Sequence, residues 1–302
     1  MSKELSPLGQ RMKEYEKAYD FIFPNNVPII VRIDGKNFST YTKNFNKPFD
    51  DIVTFAMVHT MKYLCANISN CRFGYTQSDE ITLVLFEKTL FDKENDYKDI
   101  FIKTPYESFE KSVPFNNRAM KSNSLFASMA TMVFNRYFKI AAHMVFCSEI
   151  NGSEILPEER EMWDNNKDEL RKWTCRDNYQ TYVNKFDSAM FDSRMFVVPT
   201  FDIINNIIFR QEDAIKNSIS AYARCYIKDT DGKNGLQLQE ELKELGLPWD
   251  KLPLFEQHGT CCYKENVVMF RNGKPFNREK WVIDKEMPII KDNKEWFLEK
   301  IL

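Results

Sequence analysis

The chain has 302 residues, of which 43% are hydrophobic and 28% are charged. These proportions exclude a disordered or fibrous protein, and a net charge of −2 gives no global sign of a polyanionic partner. Seven cysteines without a C-x-x-C pair argue against a disulfide framework or a zinc ribbon. No apolar run approaches the roughly 18 residues of a membrane span. We therefore expect a cytoplasmic protein that does not associate with membranes.

The first two thirds of the chain predict strands and helices in a simple order. A helix is predicted over residues 8–21, and a buried strand runs from Pro28 to the breaker at Asp34 and Gly35. A broadly buried helix follows Pro48. The later elements are strands at 71–75 and 81–86, a long buried helix at 119–145 and a strand at 194–199. The order predicts a ferredoxin-like βαββαβ antiparallel sheet with helices packed on it, in an α+β fold.

This pattern divides the chain at residue 210. Residues 1–209 are interpreted as the main domain, with the charged stretch 149–190 as an insertion without an assigned role. Residues 210–302 are interpreted as an extension that packs on that domain. Its predicted elements are helices at 210–226 and 236–245 and one or two hairpins within 259–290, with a turn at Asn272 and Gly273.

Two acidic motifs occur where the predicted sheet brings strand ends together. Asp34 ends the first strand, whereas Asp79 and Glu80 lie in the hairpin between the second and third strands. Because the first and third strands of a βαββαβ sheet are neighbours, we expect the two motifs to approach each other. Paired carboxylates with open coordination positions suit Mg²⁺, and two such ions support phosphoryl or nucleotidyl transfer. Each motif alone is more typical of a solvated turn, so only their combination favours a metal site.

The segment after the first acidic residue adds a possible anion site. Successive backbone amides from Gly35 to Phe38 are expected to form a nest for a triphosphate. Lys47, Arg118 and Lys121 are candidate phosphate contacts by charge, although each alone is more typical of a solvated surface residue. The three histidines show no metal-ligand spacing, and no serine or cysteine nucleophile is paired with a base.

Together these motifs resemble those of the tRNA-histidine guanylyltransferase family of 3′-to-5′ polymerases. The matching segments are VRIDGKNFSTYTKNFNKPFD (31–50), FGYTQSDEITLVLF (73–86), FNNRAMKSNSLFASMAT (115–131), FDSRMFVVP (191–199) and LPLFEQHGT (252–260). The resemblance implies a polymerase/cyclase-like palm with two Mg²⁺ ions, which adds nucleotides, typically G, to tRNA 5′ ends. It implies ATP and GTP as substrates and a homotetramer as the assembly. In the implied reaction ATP adenylylates the 5′ end, and an incoming nucleotide then displaces AMP.

The resemblance also implies roles for individual residues. Asp34 and Asp79 supply metal-binding carboxylates, Gly35 supplies a backbone carbonyl to the metal, and Glu80 supports catalysis. The residues implied to hold the triphosphate or the RNA 5′ phosphate are Asp34, Gly35, Lys36, Asn37, Phe38, Ser39, Lys47, Ser78, Arg118 and Lys121.

The chain departs from the eukaryotic members of the family in two places. Their HINNLYN element corresponds here to residues 216–222, KNSISAY, and Ser39 replaces a histidine. These changes favour the broader branch, which resembles template-dependent enzymes that repair tRNA 5′ ends, over obligatory recognition of histidine tRNA. Two alternatives stay open. One is a nucleotide cyclase-like palm enzyme, and the other is a non-catalytic RNA-binding protein on a retained palm.

Overall fold

The computed structural model describes most of the chain, in five stretches: residues 5–24, 27–87, 114–146, 179–271 and 274–302. Most of the predicted 149–190 insertion lies outside these stretches, as does the predicted turn at Asn272 and Gly273. The features below therefore concern the described residues.

Within those stretches, six strands form one antiparallel sheet in which neighbouring strands are not always consecutive in the chain. Their bounds are β1 Ile29–Gly35, β2 Cys71–Gln77, β3 Glu80–Leu85, β4 Phe191–Val197, β5 Thr260–Arg271 and β6 Lys274–Asp284. The strands lie in the order β4-β1-β3-β2-β5-β6, so β1 and β3 are neighbours as predicted. β5 and β6 form one hairpin that extends the sheet beyond β2. The predicted antiparallel sheet with packed helices is confirmed.

Helices connect the strands and cover both faces of the sheet. Their bounds are α1 Pro7–Lys17, α2 Phe38–Tyr41, α3 Asp51–Asn67, α4 Ala119–Phe146, α5 Tyr179–Val183, α6 Asp202–Tyr226, α7 Gly235–Glu244, α8 Leu254–His258 and α9 Lys294–Ile301. α6 begins before the predicted start at 210 because Ile203 and Ile207 continue its buried stripe. The predicted domain boundary thus falls inside this helix. No helix in the described stretches has the length and apolar character needed to cross a membrane.

The two faces of the sheet carry different residues of β1. Val31 and Ile33 pack with α3 and α4 in one core. Ile30 packs with α6 and α9 in a second core. Since side chains alternate along a strand, Arg32 and Asp34 lie on the same side as Ile30. The polar end of β1 therefore faces α6.

The predicted approach of the two acidic motifs is observed at the end of β1. Asp34 is the cross-strand partner of Glu80, and the Gly35 amide donates to the Asp79 carbonyl at 3.1 Å. Ser78 and Asp79 form a two-residue turn between β2 and β3, with Ser78 at φ 54°. Positive φ angles are usual in such tight hairpin turns. The turn and the end of β1 are thus held together by backbone contacts.

Gly74 provides a test of how closely α3 packs on the sheet. A Cβ at this position would lie 2.4 Å from Cys65 Sγ and 2.9 Å from Met61 Cγ, and both neighbours are buried. We expect Gly74→Ala to lower the free energy of unfolding by about 1–3 kcal/mol, because overpacking forces a closed core to shift. Gly235→Ala is the matched control, since its Cβ would meet only Ile219 Cδ1 at 3.9 Å. Urea unfolding that gives equal stability for the two variants would contradict this packing.

Candidate active site

A cavity of about 560 Å³ opens at the end of the sheet, between α3 and α6. This volume lies within the usual range of small-molecule sites. The residues predicted from the sequence that line the cavity are Asp34, Phe38, Ser39, Lys47, Ser78, Asp79 and Glu80. Both acidic motifs and part of the loop after β1 therefore contribute to one site.

Asp34 and Asp79 form the acidic centre of this cavity. Burial raises the pKa of Asp79, a hydrogen bond from Ser78 Oγ at 3.0 Å opposes that rise, and the charge of Asp34 adds to it. Arg194 Nη2 lies 3.6 Å from Asp34 Oδ2, and Arg32 Nη2 lies 4.0 Å from the same atom. The two aspartates repel each other through a partly buried space, which a bound cation would relieve.

The donor set at this centre fits magnesium better than zinc. Across the described stretches, no group of three or more His, Cys, Asp or Glu side chains is arranged to hold a metal. A structural zinc site needs four protein ligands, whereas Mg²⁺ keeps several waters and is usually held by one or two carboxylates plus substrate phosphates. Two carboxylates, those of Asp34 and Asp79, line this cavity, and two are enough for a site of that kind.

Glu80 is held between two arginines. Arg210 of α6 contacts both carboxylate oxygens, with Nε at 2.6 Å from one and Nη2 at 2.8 Å from the other. Arg32 of β1 also pairs with Glu80. Burial raises the pKa of Glu80, and the charges of Arg210 and Arg32 oppose that rise. Glu80 therefore anchors α6 and β1 beside the acidic centre, and its charge is already neutralised by protein groups.

The arginines of this site were missed by the interpretation of the sequence. Arg32 lies two residues before Asp34, and strand alternation alone would have placed it on the same face. Arg194 is the cross-strand partner of Arg32 on β4. Arg210, which also pairs with Asp213 at 3.0 Å, carried no local signal, because its partner Glu80 is 130 residues away in the chain.

The loop after β1 is only partly available as an anion nest. The amides of Gly35 and Lys36 are occupied, because they donate to the carbonyls of Asp79 at 3.1 Å and Met190 at 2.8 Å. Asn37, at φ 53°, precedes the single turn of α2. The amides of Gly35 and Lys36 are therefore not free to bind an anion, and a nest formed by the amides after them stays a prediction.

Side chains in the same loop divide between the core and the cavity. Phe38 is buried, with its ring centroid 5.4 Å from each of the rings of Phe134 and Phe191. Ser39 is exposed and lines the cavity, whereas Lys36 is exposed and does not. Phe38 therefore holds the loop on the core, and Ser39 is its polar side chain at the site.

The three predicted phosphate-binding cations are not grouped together. Lys47 lines the cavity, but Arg118 and Lys121 do not. Arg118 Nε instead pairs with Asp20 Oδ2 at 2.6 Å, and Lys121 Nζ lies 5.1 Å from the centre of the Phe115 ring. Only Lys47 is thus positioned to meet a ligand inside the cavity.

The Glu80 cluster predicts a large effect of a single substitution on α6. We expect Arg210→Gln to lower the free energy of unfolding by about 3 kcal/mol, since it leaves a largely buried carboxylate with Arg32 alone. The loss should shrink at acidic pH, where Glu80 is protonated with or without its partner. Lys291→Gln is the control, because it breaks only the exposed pair with Glu212 at 2.9 Å, and solvent-exposed ion pairs contribute little to stability. Similar losses for both variants in urea would show that this cluster does not hold α6.

Comparison with known proteins places this geometry in a family. The sequence model of the family described as tRNAHis guanylyltransferase (Thg1) matches residues 9–202. A bacterial tRNAHis guanylyltransferase (Thg1)-like protein in complex with ATP is 31% identical, with 98% of this chain and 99% of that chain covered and a TM-score of 0.68. The structure of such a bacterial protein in complex with GTP is 30% identical over the same shares, with a TM-score of 0.66.

Two further proteins are similar to this chain. The tRNAHis guanylyltransferase of Saccharomyces cerevisiae shares the fold at 18% identity, with 87% of this chain and 94% of that chain covered and a TM-score of 0.51. An uncharacterized protein of Acanthamoeba polyphaga mimivirus is 29% identical over an alignment of 275 residues, with 86% of this chain and 78% of the viral protein covered. The family match covers more than half of the chain and agrees with the observed fold. The chain therefore belongs to the tRNAHis guanylyltransferase family and is a nucleotidyltransferase of the type that acts on tRNA.

Proposed function

We propose that this enzyme is a template-dependent 3′-to-5′ nucleotidyltransferase that adds nucleotides, typically G, to tRNA 5′ ends. The observation that carries the proposal is the meeting of Asp34 and Asp79 at one cavity, in a chain of this family. The bacterial relatives in complex with ATP and GTP support these two nucleotides as substrates. We assign the sheet, with its acidic end, as a polymerase/cyclase-like palm.

Magnesium is proposed as the cofactor, with Asp34, Asp79 and the backbone carbonyl of Gly35 as its protein ligands. Two bound ions would supply activation of an attacking oxygen and stabilisation of a leaving one. The protein itself fixes the two carboxylates, through the pairing of β1 with β3 and the bond from the Gly35 amide to the Asp79 carbonyl. Ser78 Oγ donates a hydrogen bond to Asp79, its neighbour in the same turn. Glu80 supports this arrangement through its arginines.

The remaining predicted residues receive roles that follow from their positions. Ser39, Lys47 and Ser78 line the cavity and are proposed to contact the triphosphate. Residues 36–38 are proposed to keep the loop after β1 in its observed shape. Arg118 and Lys121 lie away from the cavity and are proposed to contact the RNA strand near its 5′ end, because basic side chains contribute to binding phosphates.

The proposed reaction has two displacements at phosphorus. An oxygen of the tRNA 5′-monophosphate attacks the α-phosphorus of ATP, and pyrophosphate leaves. The 3′-hydroxyl of GTP then attacks the 5′ phosphorus of the tRNA, loses its proton, and AMP leaves. A tRNA that already carries a 5′-triphosphate is attacked directly by that hydroxyl and releases pyrophosphate. Both displacements need the same alignment of carboxylates and phosphates at the end of the sheet.

A homotetramer is proposed as the working assembly. No residue of α1 is buried in the single chain. Leu8, Met12 and Tyr15 on this helix are 60%, 42% and 63% exposed. An uncovered apolar stripe of this kind suits an interface between subunits.

The described cysteines are free thiols, which fits the cytoplasmic location expected from the sequence.

Extension of a 5′-truncated tRNA tests the proposed activity. With Mg²⁺, ATP and labelled GTP, the unaltered protein should add label to the RNA 5′ end, and Asp79→Asn should lower the rate by at least about 1,000-fold, because one metal-binding carboxylate is lost. Asp231→Asn, in the exposed loop before α7, should keep the full rate. The absence of 5′ extension with every tRNA tried would contradict the proposal. Formation of cyclic GMP or cyclic AMP without RNA would instead support the cyclase alternative.

Light scattering tests the proposed assembly. The unaltered protein should show four times the chain mass of 35.9 kDa. The double variant Met12→Glu with Tyr15→Glu should show a smaller mass, because it places charges on the exposed apolar stripe of α1. Lys13→Glu, a charge change on the same helix, should leave the mass unchanged. A single-chain mass for the unaltered protein would refute the tetramer.

A further inference from the structure

Four basic side chains line the cavity, and two of them have no carboxylate partner among the described residues. The four are Arg32, Lys47, Arg210 and Arg224. Arg32 and Arg210 both pair with Glu80. Lys47 and Arg224 are exposed, and no ion pair within the described stretches involves either of them. The charges of Lys47 and Arg224 are therefore not balanced by this part of the chain.

Arg224 reaches the cavity through the regular spacing of α6. The residues on one face of this helix that line the cavity recur every three or four positions: Arg210, Asp213, Asn217, Ala221 and Arg224. Arg210 is bound to Glu80 beside the acidic centre. Arg224 follows Arg210 by 14 positions, which is about 21 Å along a helix that rises about 1.5 Å per residue. Arg224 thus lies at the end of this wall that is remote from Asp34 and Asp79.

Lys47 approaches the same end of the cavity from the side of α3. Partial burial raises the pKa of the Cys225 thiol, and the charges of Lys47 and Arg224 both oppose that rise. The two cations therefore lie near one thiol and near each other. Glu256 also lines the cavity. Burial, and after it the charge of Asp51, raises the pKa of Glu256, so this carboxyl is not the partner of either cation.

The unbalanced charges of the cavity are thus separated in space. Asp34 and Asp79 attract a cation at the end of the sheet, whereas Lys47 and Arg224 attract an anion at the other end. A triphosphate held at the aspartates is much shorter than the span of about 21 Å along α6. A stacked strand of nucleic acid carries a phosphate about every 3.4 Å along its axis. An RNA strand therefore places phosphates at both ends of this span, which a single nucleotide does not.

We propose that Arg224, with the charge of Lys47 beside it, binds a backbone phosphate of the tRNA. Lys47 keeps its proposed contact with the triphosphate and adds to the positive field at Arg224. A guanidinium suits this role because it is always charged and its N–H groups match phosphate oxygens. A phosphate contact positions the strand without reading its bases, which agrees with an enzyme whose added base is set by a template. The inference rests on the proposed function, which supplies tRNA as the substrate.

Fluorescence anisotropy of a labelled 5′-truncated tRNA tests the proposal. The full chain is titrated without nucleotide, at several KCl concentrations and constant Mg²⁺. Arg224→Gln should weaken binding about fivefold at the lowest salt. It should also reduce the slope of log Kd against log salt by about 0.7 to 0.9, as expected for one lost phosphate contact. Arg224→Lys, which keeps the charge, should restore most of the slope. Calorimetry with Mg²⁺ should show unchanged binding of ATP and GTP to Arg224→Gln, because the triphosphate does not contact this residue.

The matched control is Lys216→Gln, which removes one positive charge from the same helix at an exposed position outside the cavity. This variant should keep the affinity and the salt slope of the unaltered protein, and thermal unfolding of each variant checks that the fold is intact. An unchanged slope in Arg224→Gln, or an equal change in Lys216→Gln, overturns the phosphate site and leaves the proposed function in place. A loss of ATP or GTP affinity in Arg224→Gln that matches its loss of tRNA affinity assigns the residue to the nucleotide and overturns its role with RNA. Failure of the unaltered protein to bind any tRNA overturns the proposed function together with the site.

Discussion

The antiparallel pairing of β1 with β3 is the constraint on which the site depends. Its register places Asp34 opposite Glu80 and joins the Gly35 amide to the Asp79 carbonyl. A slip of one residue would turn Asp34 toward the apolar face covered by α3 and α4. Burial of Val31 and Ile33 against these helices opposes such a slip. The residues that stabilise the core therefore also determine the position of the carboxylates.

The three acidic residues of the motifs differ in how far neighbouring protein groups balance their charges. Glu80 is largely buried and its charge is balanced by Arg32 and Arg210, so it links β1, β3 and α6. The Ser78 hydroxyl donates a hydrogen bond to Asp79, and the nearby charge of Asp34 opposes the ionisation of Asp79. A cation would stabilise the two aspartates far more than it would stabilise Glu80. The arginine cluster thus gives rigidity to the site, while the aspartate pair is left as the proposed metal site.

Local sequence patterns predicted the strands and acidic turns because these features depend on neighbours in the chain. The apolar run from Pro28 and the breaker at Asp34 and Gly35 were sufficient to place the end of β1. The contact between Arg210 and Glu80 joins residues 130 positions apart, and no local pattern encodes it. The same limit explains why the sequence did not show that Arg118 and Lys121 lie outside the cavity. A positive charge does not specify which surface of the folded chain it will face. The sequence also did not show that the first two amides of the predicted nest, those of Gly35 and Lys36, donate to the distant carbonyls of Asp79 and Met190.

Binding of Mn²⁺, followed by electron paramagnetic resonance, tests most directly whether Asp34 and Asp79 form one divalent-cation site. The account predicts that Asp34→Asn and Asp79→Asn each weaken binding by at least about tenfold, because each removes one of two carboxylate ligands. Asp192→Asn should bind as the unaltered protein does, although Asp192 is the cross-strand neighbour of Asp34, because it does not line the cavity. Equal affinity of all four proteins for Mn²⁺ would contradict the account.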